Sequence, residues 1–194
     1  MGENMMSKDG GEHQDERWQI FLSLSPRTVM QVWRAQLERA TQVVLDGLKE
    51  RQESDSLWDF AMPVCGAALV AIMGLRQMTP TKNNGVSQAI IDGWANYLSN
   101  PRVKQAYHLA ASDIDTHISG MLDEVRADPN NYVLSILLQA WQPIDNLKAN
   151  IELVISGGQN EPWDTIAGTS AAVLLHPLAS KQLCQSVGWG HVFK

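Results

Sequence analysis

PIDNLKANIELVISGGQNEPWDTIAGTSAAVLLH, residues 143–176, is the stretch whose reading decides the fold. At 100° per residue, Ile144, Ile151, Ile155, Pro162, Ile166 and Val173 fall on one stripe, so the helical phase carries through two adjacent glycines and a proline. That pattern predicts one long bent helix over about 143–176, roughly 50 Å long at the rise of an α-helix. The interruption is costly: Gly157 and Gly158 each lose about 1 kcal/mol relative to alanine, and Pro162 about 3. Pro162 has no N–H to offer the carbonyl of Gly158, which is left free where neither glycine carries a side chain. The expected result is a shallow groove with a polar lip. A flat cofactor or small ligand could approach the backbone there, with Asn160 and Glu161 supplying polar groups. A second reading stays open: Gly157-Gly158 caps one helix and Asn160 starts the next.

Working outward, apolar residues recur at helical spacing nearly everywhere and alternating runs are almost absent, which makes the chain all-α. Ser25 is an N-cap with Pro26 in the first turn, where a missing N–H costs nothing. Val29, Val32, Trp33, Leu37, Ala40, Val44 and Leu48 then line one face of a helix over 26–50. A buried helix follows at 57–74. The Thr-, Pro-, Asn- and Gly-rich stretch 78–85 reads as a loop. Helices are expected at 86–98 and 101–127, divided by Ser99-Asn100-Pro101, and a turn at 128–131 leads to a short helix over 132–140. Pro177 ends the last one. The 194 residues read as one helical domain without repeats.

Composition narrows the function. Fifteen Lys and Arg against 21 Asp and Glu give a net charge of -6, which argues against a nucleic-acid partner. With 44% hydrophobic and 19% charged residues there is ample material for a core. The longest uncharged run, 60–75, holds Pro63, Gly66 and Gly74 and falls short of the ~20 residues of a bilayer span, so no membrane span is assigned. The polar first dozen residues lack a signal peptide's apolar centre. Cys65 and Cys184 lie far apart and form neither a disulfide framework nor a metal knuckle, although one bridge between them stays open; a reducing, cytoplasmic location is expected. Asp113, Asp115 and His117 resemble a metal cluster on paper, but i and i+2 point to different helix faces and no metal is assigned. His108 and His176 are read as surface or helix-end residues, and Trp163 as a neighbour of the groove. No Lys-Ser or Lys-Thr follows the glycines as in a phosphate loop, and no nucleophile–base set can be read from spacing.

The run ISGGQNEPWDTIAGTSAAVLLHP resembles the long central helix of the cytochrome P-450 haem-thiolate monooxygenases, particularly the bacterial soluble members, down to the LLHP ending at 174–177. Upstream, LSLSPRTV at 22–29 is similar to that family's FSPRTV stretch. Counting back, His13 and Arg17 fall in the H-x-x-x-R spacing that contacts haem propionates in the family. Residues i and i+4 share a helix face, so both can donate to one carboxylate, Arg17 in bidentate fashion. The resemblance implies a partial cytochrome P-450 fold with haem as cofactor, held by His13, Arg17, Gly157 and Gly158. It implies Asn160 and Glu161 as the catalytic pair: aligning the glycines puts Asn160 at the family's acid position and Glu161 at its alcohol position, while a one-residue shift makes Glu161 the acid and Pro162 the alcohol. Glu161 is the choice for proton delivery, a task that needs a titratable or hydroxyl group within reach. Asp164 and Thr165 lie one turn on and are read as solvated.

The resemblance further implies a ferredoxin or flavin reductase as electron donor, a small apolar organic substrate, and residues 78–127 as the roof of its pocket. The family's E-x-x-R pair, its glycine-flanked haem cysteine and its N-terminal sheet find no counterpart, since neither Cys65 nor Cys184 has the right context. A truncated product without the axial thiolate, inactive alone, is therefore expected, because that thiolate supplies the electron density for O–O cleavage. The alternative is a non-catalytic helical remnant or interaction protein.

Overall fold

The computed structural model describes residues 3–140, 143–176, 178 and 181, and every regular element among them is helical. Pro177 and Cys184 lie outside the described residues. A short 3₁₀ turn, Met5–Ser7, precedes α1 (Gly10–Leu24). Next come α2 (Pro26–Thr28), a π-helical stretch Val29–Trp33 and α3 (Arg34–Leu48), which together fill the predicted helix over 26–50. A second π-helical stretch, Ser56–Ala61, opens into α4 (Met62–Met73). The rest are α5 (Pro80–Trp94), α6 (Pro101–Ala127), α7 (Val133–Gln139), α8 (Ile144–Gly157) and α9 (Asn160–Leu175).

Local chemistry sets the boundaries. The Ser25 hydroxyl accepts the Thr28 N–H at 3.2 Å, Asp55 Oδ1 accepts those of Leu57 and Trp58 at 2.8 Å each, and Asn100 Oδ1 accepts that of Arg102 at 3.0 Å. Gly74 ends α4 with φ +80, a left-handed conformation that favours glycine. A Cβ there would also lie 2.7 Å from Cβ of Tyr132, so the position excludes a side chain twice over.

Two expectations need correction. The stretch 78–85 is largely helix: Thr79 Oγ1 caps α5 by accepting the Lys82 N–H at 3.2 Å, and Pro80 occupies the first turn. Residues that punctuate a loop also start a helix, and this Thr-Pro pair does the second. At the other end α5 stops at Trp94, short of 98. The stripe through 143–176 also slips at the break. Ile151 and Ile155 are fully buried, but beyond the break the inward position belongs to Trp163, while Pro162 is exposed.

The core gathers around α8. Leu147, Ile151 and Ile155 meet Val86 and Ile90 of α5, Ile114, Ile118 and Met121 of α6, and Leu134 and Leu137 of α7, with Leu69 and Met73 of α4 in the same cluster. Each such aliphatic side chain contributes roughly 1.5–3 kcal/mol on burial. α9 leaves that core and forms a smaller one, where Trp163 packs on Ala61 and Cys65 with Leu57, Met62 and Ile166 around them. Trp163 therefore faces inward. Ser56–Met73 is long and apolar enough to cross a membrane by length and composition, yet Ala61, Cys65, Leu69 and Met73 are all buried within the fold.

Candidate functional site

The break between α8 and α9 comprises Gly158 and Gln159, with φ of -92 and -107, so no left-handed cap is present. The helix ends agree with the capped reading, α8 stopping at Gly157 and α9 starting at Asn160, but the chain stays right-handed throughout. The Gly158 N–H still reaches the Val154 carbonyl at 2.9 Å, and the ladder resumes with Trp163 N–H to the Gln159 carbonyl at 3.3 Å. Among the described residues the Gln159 N–H makes no such bond. The Ile155 carbonyl that it would have met accepts the Ser87 hydroxyl of α5 instead, at 3.1 Å. A buried carbonyl must find a donor, and a neighbouring helix supplies it.

Three more side chains complete this underside. Gln159, fully buried, accepts from Asn83 Nδ2 at 2.8 Å and donates to Asn84 Oδ1 at 2.6 Å. Asn84 Nδ2 in turn donates to the Met62 carbonyl at 3.4 Å. Gly66 makes room, since a Cβ there would lie 2.5 Å from Asn84 Oδ1. Sequence reading missed Gln159, Asn83, Asn84 and Ser87. The available signal was spacing: Asn83, Val86, Ser87 and Ile90 form one i, i+3, i+4, i+7 stripe, which puts two polar residues on a core-facing line.

The two glycines differ. A Cβ on Gly157 would meet nothing within 4 Å, whereas one on Gly158 would lie 2.7 Å from the Val154 carbonyl oxygen and 2.9 Å from Leu69 Cδ1. Gly157 is exposed and open to a flat ligand, and Gly158 lets α4 approach closely. Glu161 is exposed in the first turn of α9, and its carbonyl accepts the Thr165 hydroxyl at 2.7 Å. Asp164 is exposed as well. Asn160 Oδ1 is buried without a partner among the described residues.

His13 and Arg17 lie one turn apart on α1. His13 Nδ1 donates to the Met5 carbonyl at 2.7 Å, which leaves Nε2 for a ligand. Arg17 is exposed and has no hydrogen bond or ion pair among the described residues. Between them Glu16 points inward, paired with Lys8 and accepting from Asn146 and Asn150 of α8 at 3.1 Å each. The Lys8 ammonium is held above its ordinary range by its hydrogen bond to Glu16. α1 is thus fastened to α8, and Asn150 stands roughly 10 Å along the helix axis from Gly157. The His13–Arg17 pair sits on α1 and the glycine break at the end of α8, two helices joined through Glu16.

Other candidates disperse. Asp113 pairs with Lys82 at 2.8 Å, Asp115 with Lys148 at 3.4 Å, and His117 Nδ1 bonds the Asp113 carbonyl at 2.7 Å. Burial pushes the Cys65 thiol up to about 11, which makes it a poor source of thiolate. Glu152 of α8 is buried and its carboxyl is raised, first by burial and then by Asp115, although Tyr107 donates to it at 3.4 Å.

No protein-family model matches the chain. It is 24% identical over 179 residues to cytochrome P450 CYP107DY1 of Priestia megaterium, an alignment that takes in 90% of this chain and 42% of that protein. Among solved structures, cytochrome P450 260B1 of Sorangium cellulosum So Ce56 superposes with a TM-score of 0.80 at 18% identity, covering 94% of this chain and 47% of that one. Myxobacterial cytochrome P450 CYP267B1, solved with myristic acid, gives 0.78 at 20% identity over 97% and 47%. The chain spans less than half the length of these relatives. A shared helical fold over almost all of this chain, joined to sequence similarity along 90% of it, makes the protein a relative of the bacterial cytochromes P450, with an all-α portion that matches less than half of their length.

Proposed function

We propose that the chain forms the part of a haem-dependent monooxygenase that grips the cofactor's carboxylates and shapes the pocket beside it. The supporting observation is the α1 stripe: an Arg17 guanidinium without a partner among the described residues and a His13 whose ring is fixed by the Met5 carbonyl, on a helix fastened to the rod that carries the open Gly157. That donor set suits a flat ligand bearing carboxylates, and haem is such a ligand. Arg17 and His13 would hold the carboxylates, and the backbone at Gly157 and Gly158 would lie against its face. When bound, haem supplies the redox chemistry by which dioxygen is activated.

The chain's own residues supply the rest. Arg17 offers a planar fork that matches a carboxylate and fixes its direction as well as its charge. The exposed Glu161 exchanges protons between solvent and the groove, and the Thr165 hydroxyl bonded to its carbonyl holds that turn in shape. Asn160 at the acid position carries no titratable group, so proton transfer falls to Glu161. The substrate is a small apolar organic molecule beneath α5 and α6, a reading in keeping with the myristic acid bound by CYP267B1. Electrons come from a ferredoxin or flavin reductase, and the location is cytoplasmic. Neither Cys65 nor Cys184 acts as axial ligand, so the chain by itself is inactive.

Hemin titration of the 194-residue chain tests this reading. Uptake should weaken about 10- to 100-fold in Arg17→Ala, the equivalent of roughly 1.5–3 kcal/mol for a hydrogen bond to a charged group. His13→Ala should weaken it less. The reduced carbon-monoxide complex should lack the red-shifted band of thiolate ligation. Equal hemin affinity in native and Arg17→Ala chains would remove the carboxylate grip, and a thiolate-type band would restore a cysteine to the site.

A further inference from the structure

We infer that the amide chain beneath the α8–α9 break binds one ordered water molecule, hydrogen-bonded to Asn83 Oδ1. The argument is one of direction. The Met62 carbonyl can only accept, so Asn84 must present Nδ2 to it, which turns Asn84 Oδ1 toward Gln159. That oxygen can only accept, so Gln159 presents Nε2 to it and turns Oε1 toward Asn83. Oε1 in turn takes the Nδ2 donor of Asn83. No single amide in the series can rotate without setting two donors or two acceptors against each other. The orientation of all three is therefore imposed from the α4 end, and the series terminates in an acceptor, Asn83 Oδ1.

That terminal oxygen is enclosed, on a residue with 0% exposure, and has no partner among the described residues. Asn160 Oδ1, on the residue that follows Gln159, is a second enclosed acceptor without a partner among them. An enclosed acceptor needs a donor, and water supplies O–H groups. A metal ion does not suit the site, since no group of three or more His, Cys, Asp or Glu that could hold one occurs among the described residues. Polar junctions of this kind are where buried water resides, held by two to four polar neighbours. The site depends on the packing of α5 against the break and stands whether or not the chain binds haem.

The native chain, labelled with ¹⁵N, should show magnetisation transfer from water to the Asn83 side-chain amide protons with the sign that marks a residence time beyond a nanosecond. Water-deuteron relaxation dispersion should count one long-lived water fewer in Asn83→Leu than in the native chain. A native spectrum without that long-lived contact overturns the inference, and so does an unchanged count in a folded Asn83→Leu. Should that variant fail to fold, the native contact decides alone.

Discussion

Replacing Gln159 by leucine probes the underside of the break directly. The side chain is fully buried and makes two hydrogen bonds, to Asn83 at 2.8 Å and Asn84 at 2.6 Å. Leucine matches it in bulk but offers neither donor nor acceptor. Two neutral hydrogen bonds contribute about 0.5–1.5 kcal/mol each, and each abandoned buried partner costs about 1–3 kcal/mol. Leucine recovers part of this through apolar packing, so the expected loss is about 2–4 kcal/mol, read as a lower urea midpoint at unchanged slope. Gln88→Leu is the control. It lies on α5, the helix that carries Asn83 and Asn84, and bonds Asp92 at 2.7 Å, but at the exposed surface, where substitutions stay within about 0.5 kcal/mol. Pairing Gln159→Leu with Asn83→Leu should cost less than the sum of the two, because the second change removes a donor that the first has stranded. A Gln159→Leu midpoint equal to that of Gln88→Leu, or strict additivity of the pair, would refute the reasoning.

The two glycines of the break should respond with opposite signs. Gly157→Ala meets open space at the end of a helix and should be neutral or stabilise by up to about 1 kcal/mol, whereas Gly158→Ala forces Leu69 and the Val154 carbonyl aside and should cost about 1–3 kcal/mol by thermal or urea unfolding. For Glu152, burial raises the folded carboxyl above its ordinary 4.5, so the folded state holds the proton more tightly than the unfolded one. Its contribution is fully present below that ordinary value and is lost as pH rises through the raised one. Glu152→Gln should therefore flatten the stability profile above 4.5 and leave the chain more stable at neutral pH; an unchanged slope in urea midpoints taken across that range would count against the burial argument.

Where the sequence was easiest to read, a side chain and its own backbone settle the matter. Asn100-Pro101 starts α6 because the Asn100 oxygen caps the Arg102 amide, and helix 101–127 follows as expected. The Thr79-Pro80 pair obeys the same chemistry, yet it reads as a loop because Asn83, Asn84 and Gly85 come next, poor helix formers in isolation. Their compensation lies more than 70 residues away, in the bonds to Gln159. No local pattern contains that information. The stripe through the break fails for a related reason: periodicity assumes a constant turn per residue, and the interrupted ladder at 158–159 passes the inward position from Pro162 to Trp163. Among the candidate residues, the i, i+4 relation of His13 and Arg17 was legible because it needs only a helix. The fastening of that helix to α8 through Glu16 was not, since Asn146 and Asn150 are distant in the chain.

The hydroxyl of Ser87 standing in for the missing amide at Ile155 has a mechanical corollary. Were α5 to slide along α8, the carbonyl would be released to its own strand of helix, and the Gln159 N–H is the nearest candidate to reclaim it. The gap in the ladder is then borrowed from the spacing between two helices and is not inscribed in the rod itself. Sliding α5 would let the ladder close, and closing it would push α5 away.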